Sequence, residues 1–138
     1  MHVKIVENDK ERADAYYVRK TVFVEEQLVP LEEEIDQYED VSTHFVLYDE
    51  HEPVGAGRFR LVDGKGKIER ICIVPDYRGK GAGKLLMLEI EDFAKTQPVT
   101  TLKLNAQVHA IPFYERLGYR ITSDEFLDAG IPHKSMEK

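Results

Sequence analysis

Three glycines alternate within the five residues Gly79-Lys80-Gly81-Ala82-Gly83, at a junction between two very different stretches of chain. Before them, Ile71-Cys72-Ile73-Val74 is apolar at every position, which reads as a central strand buried on both faces, and Pro75 ends it. After them, Ala82, Leu86, Ile90 and Phe93 form one stripe at helical spacing, in a helix running to about Thr96. The first N–H groups of such a helix have no intrahelical acceptor and sit at the positive end of its dipole. Glycine lets the backbone take positive φ and approach a ligand closely, and Arg78, Lys80 and Lys84 add formal positive charge. The junction is therefore suited to a pyrophosphate. The plainer reading is a glycine-rich turn with no ligand.

Two common phosphate loops do not fit. A Walker A loop needs glycine five residues before its Gly-Lys pair and Ser or Thr after it; Gly83-Lys84 has Arg78 and Leu85 there. The dinucleotide fingerprint needs a third glycine where Lys84 stands, and it needs crossover-connected strands upstream. Upstream of this loop the pattern reads instead as hairpins. His44–Tyr48, Val54–Val62 and Lys67–Val74 are strands, separated by Asp49-Glu50-His51-Glu52-Pro53 and by Asp63-Gly64.

Elsewhere, Val3–Val6 reads as a strand. Asn8 or Asp9 caps a helix to about Gln27, with Ala13, Tyr17, Thr21 and Val24 as its apolar face. The acidic segment 32–40 reads as loop with a helical turn. Thr101–Ala106 alternates as a strand, with Leu102, Leu104 and Ala106 on one face. A helix from about His109 carries Pro112 in its first turn and Gly118 past its end. Tyr119–Thr122 is a strand, and the tail from Ile131 adds a short last one. The order β-α-β-β-β-α-β-α-β predicts an α+β fold with a mixed sheet.

The 138 residues suit one domain spanning 1–138. Acids outnumber bases 26 to 19, for a net charge of −7; this argues against nucleic acid, whose binding is dominated by phosphate contacts, and suits a cationic second substrate. No apolar run reaches the length of a membrane span. The N-terminus does not read as a secretory signal, and Cys72 is the only cysteine; together these point to the cytoplasm. One cysteine and no histidine pair at ligand spacing predict no metal.

The chain resembles the GNAT superfamily of acetyltransferases. Arg78, Gly81 and Gly83 match its coenzyme A loop of Arg or Gln, two residues, Gly, one residue, Gly or Ala. Phe113-Tyr114-Glu115-Arg116-Leu117-Gly118-Tyr119 is similar to a second family segment. Val22-Phe23-Val24-Glu25-Glu26-Gln27 and Gly130-Ile131-Pro132-His133 look like a short bacterial branch of ElaA- and YjcF-like proteins. The resemblance implies a mostly antiparallel sheet of six to seven strands with helices on both faces and the fourth and fifth strands splayed. It implies acetyl-CoA as donor, with pantetheine along Ile71, Cys72, Ile73 and Val74 and pyrophosphate on Arg78, Gly79, Lys80, Gly81, Ala82, Gly83 and Lys84. Phe113 and Tyr114 complete the donor site. Many members carry Asn where this chain has Gln107, which would make a similar amide contact. A homodimer is among the states the family allows.

Transfer to an amine, carried by a small molecule or a peptide, needs a proton removed from an ammonium and a proton given to the departing thiolate. The resemblance points to Tyr114 as the donor; the plainer reading packs it beside Phe113. Candidate bases are Glu69, His44 and His133. Alternation places Glu69 on the face of Ile71 and Ile73, with a salt bridge to Arg58, Arg60 or Arg70 as the plainer reading. The acidic segment 32–40 either rims the acceptor site or is a solvated loop. Cys72, in an apolar run, reads as a core residue rather than a nucleophile. The competing functional reading is a coenzyme A-binding sensor without turnover.

Overall fold

The structure is a computed structural model describing residues 1–138. Strand β1 (His2–Ile5) leads to helix α1 (Asp9–Arg19), which continues without a break as a π-helix over Lys20–Glu26. A single turn, α2 (Leu31–Glu34), precedes the hairpin-connected strands β2 (Thr43–Asp49), β3 (Glu52–Val62) and β4 (Lys65–Ile73). Helix α3 (Ala82–Ala94), β5 (Leu102–Gln107), α4 (Ile111–Arg116), β6 (Arg120–Ile121), β7 (Phe126–Asp128) and β8 (Ile131–Glu137) follow. No helix is long and apolar enough to cross a membrane.

All eight strands join one mixed sheet in the order β1-β2-β3-β4-β5-β8-β6, with β7 paired to β8. Only β4 and β5 run parallel; every other pair is antiparallel. The expected tail strand is a full member, pairing with β5 from Lys103↔Glu137 to Gln107↔His133.

Helices cover both faces. On one, Leu86, Met87, Ile90 and Ala94 of α3 pack with Ile111 and Tyr114 of α4 over Phe45, Phe59, Ile68, Leu104 and Ala106. On the other, Ala15, Val18 and Val22 pack on Val46, Tyr48, Ala56 and Cys72. The α3 stripe is the one the sequence predicts. The first helix differs: Tyr17 is 61% exposed and Ala13 is exposed, while Ala15, Val18 and Val22 are buried together with Glu11 and Arg19. Two charged side chains share the buried face, so the apolar pattern points to the wrong stripe.

Between β3 and β4 the register contains an extra residue. Ala56 pairs with Cys72 and Arg58 with Glu69, so two steps on β3 match three on β4, and Arg70 has φ +60°. This bulge resets the alternation. Ile68 and Ile71 both face α3, whereas Glu69 and Cys72 face the α1 side. The expectation that Glu69 shares a face with Ile71 and Ile73 is therefore overturned. Pairing of β4 with β5 covers only Gly66↔Leu102 to Ile68↔Leu104 and stops where the bulge begins. Beyond it the strands diverge, as the family resemblance implies.

Candidate active site

The divergence opens a cleft of about 1150 Å³. Ile68–Ile73 of β4 form one wall; Leu104, Asn105 and Gln107 of β5, with His133 of β8, form the other. The loop before α3 and the side chains of Phe113 and Tyr114 also line the cleft. Residues of the π-helix and the 32–37 segment complete the lining. The cleft brings together most of the predicted site: Ile71, Cys72, Ile73, Arg78, Gly79, Gly81, Ala82, Gly83, Lys84, Gln107, Phe113, Tyr114, Glu69 and His133 all line it. Val74, Lys80 and His44 do not. Val74 packs against the two smaller apolar clusters, and the Lys80 ammonium lies over the ring of Tyr77.

At the loop, Gly79 and Gly81 have φ of +73° and +81°, which L side chains rarely adopt. Gly81 is the N-cap of α3 and brings no capping side chain; the first helical bond runs from Leu85 N to Gly81 O. The preceding N–H groups are thus left to an incoming acceptor. Gly83 is confined for a different reason: a Cβ there would stand 3.2 Å from the Phe113 ring, which would have to give by a few tenths of an ångström.

Tyr114 is 8% exposed, with its ring edge-on to Phe113 and Tyr119, and burial pushes its phenol pKa above the ordinary value. The ring keeps its proton across the physiological range and is available as a donor. His133 is also 8% exposed and stacks on Phe126. Its Nδ1 lies 2.6 Å from the Ile131 carbonyl, which can only accept, so Nδ1 carries the proton and Nε2 is the basic nitrogen.

The other candidate bases are differently employed. Glu69 is bonded by Arg60 at 2.6 Å and Arg58 at 3.1 Å, with Lys67 at 3.3 Å. Burial raises its pKa, but the Arg60 hydrogen bond and the charges of Arg58 and Lys67 outweigh it and hold the carboxyl below its ordinary value. It is an ion-pair partner, the plainer of the two sequence readings. His44 is buried beneath α1, edge-on to the Tyr16 ring; its Nε2 lies 2.7 Å from the Glu39 carbonyl, and burial lowers its pKa. It does not reach the cleft. Cys72 lines the cleft, but its sulfur is buried, and desolvation raises the thiol pKa.

The acidic segment is divided: Glu32, Glu33, Gln37, Tyr38 and Asp40 are exposed, whereas other acids turn inward. Glu34 and Glu39 are buried, and with Asp36 they enclose two arginines. Arg19 bonds Glu34 at 2.7 Å and Glu39 at 2.8 Å. Arg58, fully buried, bonds Asp36 and Glu39, each at 2.9 Å. Arg70, at the bulge, reaches Asp36 at 3.2 Å and Glu34 at 3.3 Å. Sequence reading missed Glu34 and Asp36 as individual wall residues because nothing in a run of acids says which of them meet arginines.

Two further contacts span the cleft. Arg78 donates from both terminal nitrogens to Glu26 at 2.7 Å, and from Nε to the Ile73 carbonyl at 2.8 Å. Gln107 and Gln27 exchange side-chain amide bonds at 2.8 and 3.3 Å. Both residues expected to contact a donor thus already have partners.

A mixed sheet splayed beside a glycine-rich helix start, with a buried tyrosine at the gap, defines the architecture of a coenzyme A-dependent acyltransferase. The chain belongs to the GNAT acetyltransferase family, whose domain model matches residues 7–138. It is 50% identical over 139 residues to the uncharacterized N-acetyltransferase YjcF of Bacillus subtilis, covering 100% of this chain and 99% of that protein. A crystal structure from Lactobacillus plantarum superposes with TM-score 0.91 at 30% identity, covering 99% of this chain and 96% of that one. Escherichia coli ElaA superposes with TM-score 0.87 at 22% identity, covering 99% and 98%.

Proposed function

We propose that this cleft binds acetyl-CoA and passes its acetyl group directly to a primary amine, with donor and acceptor bound together. The observation that carries this reading is the coincidence of three features at one gap. These are the edge of β4 left unpaired beyond Ile68, the uncapped start of α3, and the buried Tyr114.

In this reading the pyrophosphate lies on the N–H groups of the 79–84 loop, with Lys80 and Lys84 nearby, and the pantetheine arm follows the open edge of β4. The amine nitrogen bonds to the thioester carbonyl carbon as the carbon–sulfur bond breaks. The amine's proton passes to Nε2 of His133, and Tyr114 supplies a proton to the sulfur. Glu69 and the arginines around it hold the acceptor wall in shape. The acceptor is an amine-bearing small molecule or peptide.

Two measurements test this. Thermal unfolding with acetyl-CoA, ATP and NAD at equal concentrations should show stabilisation by acetyl-CoA alone. At about 100 times the dissociation constant it adds roughly 2.7 kcal/mol. An equal shift with ATP would mean a general phosphate site. A screen of primary amines, followed by release of free thiol, should then identify turnover; binding without turnover on any amine would favour the sensor reading.

A further inference from the structure

The two side chains best placed to meet the donor, Arg78 and Gln107, are both held by consecutive residues at the end of the π-helix. Glu26 offers Arg78 two carboxylate oxygens at 2.7 Å each, and Gln27 offers Gln107 a paired amide at 2.8 and 3.3 Å. Arg78 follows β4 and caps the Ile73 carbonyl at that strand's open edge, while Gln107 ends β5. One dipeptide therefore ties together the ends of the two splayed strands, across the gap between them.

The chemistry of each contact mirrors a part of the donor. A carboxylate on a guanidinium occupies the place that a phosphate oxygen would take. A glutamine amide on a glutamine amide makes the pair that a pantetheine amide would make. We infer that Glu26 and Gln27 form an internal latch that mimics the donor and closes its channel, and that coenzyme A must displace both to enter. This rests on the donor-binding reading of the cleft. Binding and opening are then linked: the donor's affinity is lowered by the free energy of the contacts it displaces. The segment that follows the latch carries Val29, Glu32, Glu33, Glu34 and Asp36 along the same cleft.

The test is calorimetric titration of the full chain with coenzyme A. Glu26→Ala should bind roughly fivefold tighter than wild type, about the upper limit for an exposed ion pair, and Gln27→Ala should also bind tighter. Glu25→Ala, an exposed acid next door, controls for simple loss of negative charge. In an Arg78→Gln background, Glu26→Ala should give no further gain. Unchanged or weaker binding by Glu26→Ala, or an equal gain in Glu25→Ala, overturns the latch while leaving the donor site standing. Failure of the wild type and every variant to bind coenzyme A would overturn the donor site itself. Binding by Glu26→Ala where wild type shows none would be the latch in its strongest form.

Discussion

The guanidinium of Arg19 lies flat against the carboxylate of Glu39, Nη1 on one oxygen and Nη2 on the other, both at 2.8 Å and both buried. Arg58 reaches the same carboxylate at 2.9 Å, donating from Nη1 to the Oε2 that also accepts from Arg19 Nη2. Two charged residues on sequence-distant elements thus lock α1 to the segment that lines one side of the cleft. Burial opposes ionisation of Glu39, but the Arg19 hydrogen bonds and charge, with the Asp36 N–H and Arg58, prevail and lower its pKa from 4.5 to about 2.

That depression makes stability pH-dependent in a definite direction. The unfolded chain takes up a proton on Glu39 near 4.5 while the folded chain resists it to about 2. Stability from this group is therefore complete above 4.5 and is lost as pH falls toward 2, by on the order of 3 kcal/mol. Chemical denaturation at a series of pH values should show this slope, and Glu39→Gln should flatten it. The same variant leaves Arg19 and Arg58 short of a partner, so it should also lose about 3 kcal/mol at neutral pH. An unchanged neutral-pH midpoint would mean that the network carries no net stability.

Replacing Tyr114 by Phe removes one oxygen from the cleft wall and keeps the edge-on packing with Phe113 and Tyr119. The expected result is a roughly hundredfold fall in kcat, with coenzyme A affinity unchanged by calorimetry. A rate within threefold of wild type would remove Tyr114 from proton transfer.

His133→Asn should likewise lower kcat roughly hundredfold, and added imidazole should restore part of it, because the missing function is a proton-accepting nitrogen. If the rate persists without rescue, the base lies elsewhere. Glu69→Gln is the informative companion: it should lower melting temperature through Arg58 and Arg60, and it should leave the acid–base behaviour of turnover as in wild type.

Gly81→Ala places a Cβ in open space, so no clash opposes it; the cost is the φ of +81° alone. Stability should fall by about 1 kcal/mol, with a larger proportional loss of coenzyme A binding if the backbone N–H groups shift. Gly83→Ala should instead act through the 3.2 Å approach to Phe113. Combining it with Phe113→Leu should relieve part of the defect.

The parts of this molecule legible in the sequence are those written in local pattern. Ala82, Leu86 and Ile90 recur at helical spacing on the buried face of α3, and the glycine loop announces itself by residue type. The Glu69 face was not legible, because the bulge sits at an arginine with φ +60° where no glycine marks it. The first helix misled because Arg19 and Glu11 occupy its buried face, neutralised by partners that periodicity cannot see. The contacts of Glu26 and Gln27 span 52 and 80 positions, and only the folded sheet shows where they end.

Strand β8 lies between β5 and β6 in the sheet although it comes after both in the chain. During synthesis, β5 must wait with an open edge until residues 131–137 leave the ribosome and can slot beside it. His133 arrives in that same step, so the cleft gains this part of its lining only as the sheet closes. Pairings between strands distant in sequence form slowly, so the completion of this edge rests on the last strand to be made.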